Sequence, residues 1–182
     1  MVRQNWRLFS GMVSPQECEE IINLCYNTCR LADGTVFNGT DPNSPYSGRK
    51  SKVGWTEDPK LMNMAVRYLR LSNRDAFNVD IDYMPPLQFG EYSQDGFYDW
   101  HYDVNWEGNG PYDRKLSFVL QLSDPNTYEG GVFEFKDIEQ PHRFKEQGSI
   151  LIFPSYLTHR VTPVTSGIRN SLVGWMEGPR WR

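Results

Sequence analysis

The sequence predicts a mainly β protein with flanking α-helices, an antiparallel sheet structure with two helices packed outside it. Three observations point there. Two stretches with helix-start signals and one apolar face each occupy the first 77 residues. Beyond Asn78 the hydrophobic period changes from helical to two. Turn signals such as Asp124-Pro125-Asn126 and Glu129-Gly130-Gly131 then separate short extended runs.

Taken in order, Trp6, Leu8 and Phe9 alternate enough for an edge strand. Ser14-Pro15-Gln16-Glu17 offers an N-cap serine, a proline for the first turn and a glutamate three residues on for a capping box. It predicts a helix to about Arg30 with Cys18, Ile21, Ile22, Cys25 and Cys29 on one face. Residues 32–54 are rich in Gly, Asn, Ser, Asp and Pro and read as a long surface loop, which in an enzyme could close over a pocket. A second helix is expected from Thr56 to about Ala76, with Leu61, Met64, Ala65, Tyr68, Leu69 and Leu71 as its apolar face. Arg67, Arg70 and Arg74 lie near its C-terminal end, where the dipole favours cations. Val79, Ile81 and Tyr83 then alternate, Pro85-Pro86 interrupts, and residues 87–92 resume. Further strands are expected over 98–103, 115–122, 131–135, 149–153, 158–163 and 169–175. At 182 residues the chain reads as one domain, with 1–78 as helical support and loop and 79–176 as the β core.

Composition narrows the function. A net charge of -4 gives no general attraction to nucleic acid or to anionic membrane, and neither is expected as a partner. The three cysteines, Cys18, Cys25 and Cys29, share one short segment with no second pair to close a tetrahedral metal site, so they read as reduced, buried thiols. Without an apolar run for a signal peptide or a membrane span, a cytoplasmic location is the expectation. Dinucleotide, P-loop and α/β-hydrolase signatures are all absent.

Histidine is scarce, and two of the three sit where chemistry is plausible. His101 and Asp103 stand two apart in an extended segment, which would turn an imidazole and a carboxylate to one side. A second imidazole from His159, where an apolar run turns through Pro154, would complete a 2-His-1-carboxylate face of the kind that holds non-haem Fe(II) with open positions. An ordinary hydrogen-bonded core histidine is the alternative for each. His142, in the polar segment 139–143, reads as a surface residue. Arg169 opens a run with little polar company, and a guanidinium entering such a strand needs a partner. A bound dicarboxylate, gripped bidentately, would serve, and so would an acidic side chain.

Six blocks carry a resemblance: residues 88–92 (QFGEY), 97–103 (FYDWHYD), 114–122 (RKLSFVLQL), 128–135 (YEGGVFEF), 152–161 (IFPSYLTHRV) and 163–169 (PVTSGIR). In order and spacing they resemble the iron(II)- and 2-oxoglutarate-dependent dioxygenases, specifically the prolyl 4-hydroxylase-like branch. The resemblance implies a double-stranded β-helix, a jelly-roll core over residues 79–176 with the iron near its mouth. It places His101, Asp103 and His159 on the metal-ligand positions and Arg169 on the basic position that holds the distal carboxylate of 2-oxoglutarate. Tyr92 matches a tyrosine that hydrogen-bonds the co-substrate, and Trp175 an aromatic near the same pocket. Procollagen and algal members usually carry Lys where this chain has Arg169; oxygen-sensing and many bacterial members carry Arg. The implied cofactors are Fe(II), 2-oxoglutarate as co-substrate and O2, with ascorbate as an optional reductant. The implied activity is hydroxylation of a protein or peptide side chain, proline first. For the arginine that contacts substrate in some prolyl hydroxylases the chain offers Arg114 and Lys115, after the stretch 104–113; the 32–54 loop and Trp106 are further candidates for substrate contact, with Trp106 equally readable as an anchor of its own loop. Two alternatives stand beside it. One is the same core acting on a small metabolite or a nucleobase; the other is a non-enzymatic jelly-roll binding module, in which the two histidines and Asp103 would not converge.

Overall fold

The computed structural model describes residues 4–35 and 48–182. Its elements in chain order are β1 (Arg7–Phe9), α1 (Pro15–Thr28), β2 (Ala32–Asp33), β3 (Arg49–Lys50), β4 (Lys52–Thr56), α2 (Pro59–Ser72) and a π-helical turn, Asn73–Phe77. They continue with β5 (Leu87–Tyr92), β6 (Phe97–His101), β7 (Tyr112–Gln121), β8 (Tyr128–Gly130), β9 (Phe133–Phe135) and a 3-10 turn, His142–Lys145. The last four are β10 (Ile150–Pro154), β11 (His159–Val161), β12 (Val164–Gly167) and β13 (Arg169–Pro179).

Both helices start as their sequences dictate. At α1 the Ser14 hydroxyl accepts from the Glu17 N–H while the Glu17 carboxylate accepts from the Ser14 N–H, a closed capping box. At α2 the cap is Asp58, whose carboxylate accepts from Lys60 and Leu61 N–H groups. The expected start at Thr56 is therefore two residues early: Thr56 ends β4, and its hydroxyl accepts from the Asp58 N–H. The helical path runs on through Phe77 and stops at Asn78, whose φ of 49° leaves the right-handed region.

The strands form three antiparallel sheets. A seven-stranded sheet has the order β1-β10-β7-β13-β5-β4-β2, a four-stranded sheet the order β3-β6-β11-β9, and β12 pairs with β8. Alternation then decides what each face meets. In β7, Leu116, Phe118 and Leu120 join Cys18, Ile21 and Cys25 of α1 and Leu61, Ala65 and Leu69 of α2 in the larger core. Between them Val119 faces the opposite way, into a second cluster with Phe135, Leu151 and Phe153. The helices thus buttress the outside of the large sheet, and its inner face is free to carry a site. Gly54 permits the close approach of α1 to β4, since a Cβ there would lie 2.6 Å from that of Cys29.

Two expectations change. Residues 32–54 are not wholly loop: β2, β3 and β4 all fall inside that range, and β4 pairs with β5 across five residues. Short strands at sheet edges need partners that local sequence does not name, so periodicity misses them. Residues 36–47, the rest of that loop, lie outside the described residues. The alternating segment 79–83 is no strand. The Asn73 side chain holds both the N–H and C=O of Val79, and only Tyr83 makes an isolated bridge, to Glu177. No helix among the described residues is long and apolar enough to cross a membrane.

Candidate active site

The site begins with one cross-strand pair. β11 runs antiparallel to β6 with His159 opposite His101, which brings the two rings to 4.2 Å between centroids. Asp103 lies just past the end of β6, in irregular backbone rather than on the strand. Its N–H donates to Ser155 O at 2.8 Å, so the turn after β10 fixes where the carboxylate goes. Asp103 Oδ1 stands 3.7 Å from His101 Nε2 and Oδ2 stands 3.7 Å from His159 Nε2. The three potential ligand atoms lie within 4.8 Å of one another and could hold a metal ion. The convergence removes the binding-module alternative, which required the three groups to stay apart.

The imidazoles are presented in the right form. His101 Nδ1 lies 2.7 Å from Asp99 O and His159 Nδ1 2.8 Å from Leu157 O. A carbonyl only accepts, so each Nδ1 carries a proton and Nε2 is the nitrogen each ring turns toward Asp103 and an ion. Burial, with the neighbouring His159, pushes the pKa of His101 down to about 3, and the ring is neutral at physiological pH. For Asp103 burial raises the pKa, but His159 and His101, then Arg114 and the Ser117 hydroxyl, outweigh it, and the carboxyl is held below its ordinary value. Two imidazole nitrogens and one carboxylate are a donor set that suits Fe(II).

A cavity of about 250 Å³ opens beside these groups and reaches Arg169. Along β13 the cavity takes Arg169, Ser171, Val173 and Trp175, while Leu172 and Met176 point to the helices. Arg169 is 2% exposed, yet no described carboxylate lies within ion-pair distance of it. A guanidinium so deep, with no carboxylate among the described residues to neutralise it, suits an anionic ligand. Gly131, at a φ of 57°, makes room for it: a Cβ there would lie 2.9 Å from Arg169 Cδ. The same guanidinium also borders a second cavity, of about 520 Å³, which His142 and Lys145 help to line. Tyr92 pairs with Arg169 across β5 and β13, its ring 5.6 Å from the guanidinium carbon. The indole N–H of Trp175 is buried on the wall of the cavity and has no hydrogen-bond partner among the described residues, a donor suited to a ligand acceptor.

All the residues named from the sequence, His101, Asp103, His159, Arg169, Tyr92 and Trp175, therefore line one cavity. Arg114 joins them, its guanidinium carbon 3.7 Å from the Trp175 ring centre. Trp106 does not: it is exposed and meets Tyr102, as an anchor of its loop would. His142 is exposed, as expected. Sequence reasoning missed Ser117, Tyr98 and Arg49. Ser117 donates to Asp103 Oδ2 at 2.6 Å, and its place between Leu116 and Phe118 in an apolar strand was the available signal. Tyr98 stacks on His101 with centroids 3.4 Å apart, and the Arg49 guanidinium carbon lies 4.6 Å from the Tyr98 ring centre. No local pattern marks either of them.

Comparison with known proteins agrees with this geometry. The chain is 47% identical over 85 residues to a PKHD-type hydroxylase of Synechococcus sp. (strain CC9311), covering 46% of this chain and 38% of that one. It is 40% identical over 92 residues to a PKHD-type hydroxylase of Prochlorococcus marinus, covering 50% and 41%. The chain thus spans about two fifths of the length of these relatives. Among solved structures, a prolyl-4-hydroxylase of Pseudomonas putida aligns over 97% of this chain and 94% of its own with a TM-score of 0.66 and 18% identity. The viral collagen prolyl hydroxylase of Paramecium bursaria Chlorella virus-1, in its 2OG complex, aligns over 96% and 97% with a TM-score of 0.67 and 19% identity. At such identities these two show the shared fold, the jelly roll of 2-oxoglutarate oxygenases. The model of the 2OG-Fe(II) oxygenase superfamily matches residues 87–177, from the first strand of the core through the cavity-lining part of β13. With half of its length matched in this way, the chain belongs to the 2OG-Fe(II) oxygenase superfamily.

Proposed function

We propose that this protein is an Fe(II)- and 2-oxoglutarate-dependent hydroxylase acting on a side chain of a protein or peptide, with proline as the first target. The observation that carries the reading is the meeting, in one cavity, of the His101–Asp103–His159 face and the buried guanidinium of Arg169, which has no ion-pair partner among the described residues. The hydroxylase relatives and the prolyl-hydroxylase neighbours, one of them in complex with a peptide fragment, support the choice of target.

In this reading His101, Asp103 and His159 hold the iron and Arg169 the distal carboxylate of 2-oxoglutarate. Tyr92 and the indole N–H of Trp175, unpaired among the described residues, are the neighbouring donors for the co-substrate. When bound, iron and co-substrate supply oxidative decarboxylation of 2-oxoglutarate by O2, coupled to hydroxylation of the prime substrate. The chain's own contribution is orientation and exclusion. Asp99 and Leu157 carbonyls set the imidazole tautomers, Ser117 steadies the carboxylate, and Val119, Phe133, Val161 and Val173 form a wall that keeps water back. Residues 79–176 act as the oxygenase core, with β4 and β2 extending its large sheet and the helices supporting it. Three free, buried cysteines favour a reducing, cytoplasmic setting.

The test is succinate production and a one-oxygen mass gain on a panel of proline peptides, using protein loaded anaerobically with Fe(II). Protein that binds no 2-oxoglutarate and forms no succinate, with or without peptide, would refute the reading.

A further inference from the structure

The cavity carries charge that neither iron nor co-substrate uses. Arg30, Arg49, Arg114 and Arg169 line it against only two carboxylates, Asp33 and Asp103, among the described residues. An Fe(II) ion and a 2-oxoglutarate dianion bring equal and opposite charge, so loading the site leaves this excess intact. With Arg169 given to the co-substrate and Asp103 to the metal, the surplus rests on the remaining arginines. It is local, because the whole chain is net -4.

Arg49 is the informative one. β3 pairs with β6 so that Arg49 lies opposite Tyr98. Its guanidinium carbon is 4.6 Å from the Tyr98 ring centre, and that ring stacks on His101 at 3.4 Å. The side chain is half-buried and oriented by neutral acceptors: Nε donates to Ser51 Oγ at 2.6 Å and an Nη to Gln88 Oε1 at 3.0 Å. No described carboxylate lies within ion-pair distance of Arg49 or of exposed Arg30, whereas Arg114 reaches Glu177 at 4.0 Å. A guanidinium held in place by a hydroxyl, an amide and an aromatic face keeps its full charge and a fixed fork, the arrangement that receives an anion.

We propose that the prime substrate is an acidic peptide segment, with an Asp or Glu side chain close to the hydroxylated residue gripped by Arg49 and Arg30. The proposal rests on the peptide-hydroxylase reading above and gives it a substrate class. A nucleic acid fits less well, since these arginines ring one cavity with Asp33 among them and do not form the extended basic track a polyanion follows.

The experiment titrates fluorescein-labelled proline peptides, flanked by Asp/Glu, by Asn/Gln or by Lys, against protein loaded with Mn(II) and 2-oxoglutarate, read by fluorescence anisotropy. The acidic set is expected to bind about tenfold or more tighter than the lysine set, as charge-assisted hydrogen bonds imply, with a preference that weakens as salt rises. Arg49→Gln should lose most of the preference, Arg49→Lys should keep part of it, and Arg49→Glu should reverse it in favour of the lysine peptides, a reversal that misfolding does not produce. Equal affinity for the three sets overturns the proposal, and hydroxyproline formation in that case leaves the hydroxylase reading standing. Tighter binding of a single-stranded oligonucleotide than of any acidic peptide also overturns it. Wild-type protein that binds no 2-oxoglutarate removes both readings together.

Discussion

Ser117 donates its hydroxyl to Asp103 Oδ2 at 2.6 Å and lies 2.9 Å from Ser155 Oγ, so the hydroxyl that holds the carboxylate is itself held in place. Groups behind a ligand of this kind typically contribute about 10–100-fold to metal affinity. Ser117→Ala is accordingly expected to weaken Fe(II) or Mn(II) binding by about that factor, read by metal titration, without unfolding the protein. His101→Ala and Asp103→Ala remove the proposed ligand atoms themselves, and turnover should vanish together with bound metal in elemental analysis; a variant that keeps full activity would refute its assignment. Arg169→Ala separates the two halves of the site. It should raise the KM and Kd for 2-oxoglutarate by about tenfold or more while most metal binding survives, because a bidentate charged contact is lost. Unchanged affinity would take the role away from Arg169 and turn attention to its second cavity.

At the level of elements, strand parity divides support from chemistry. In β13 the residues 169, 171, 173 and 175 face the cavity and Leu172 and Met176 face the helices; in β7 Phe118 faces the helices and Ser117 and Val119 the interior. A one-residue slip of either strand would exchange the two sets. Phe118 is wholly buried beneath α1 and α2, and Phe118→Ala should cost about 3–5 kcal/mol in urea unfolding, the range for deleting a core aromatic side chain. A loss below about 1 kcal/mol would mean that the helix layer packs on the sheet far more loosely than the structure shows.

For the whole molecule, the helix layer also sets a limit at alkaline pH. Burial pushes the Cys18 thiol up to about 11, and burial with neighbouring Cys29 pushes Cys25 up to about 12, from an ordinary value of 9.0. Raised folded-state values stabilise fully below the unfolded pKa and lose that contribution as pH rises through the folded one. Melting temperature should therefore fall between about pH 9 and pH 12, and the native thiols should resist alkylation at pH 8 until the protein is unfolded. Labelling as fast as in denaturant would contradict their burial. The sequence by itself determined the two helices, most of the core strands and the residue types of the site, because capping boxes, apolar periodicity and a His-x-Asp pair are local signals. It also placed Arg169 in an apolar strand, where a guanidinium needs an explanation. Only the tertiary structure decided that His159 stands opposite His101, that Asp103 is aimed by Ser155 and Ser117 rather than by its own strand, and that Arg49 covers Tyr98. Each of these is a register or a contact between segments far apart in the chain, fixed by hydrogen bonding across sheets and by burial, to which no local period refers.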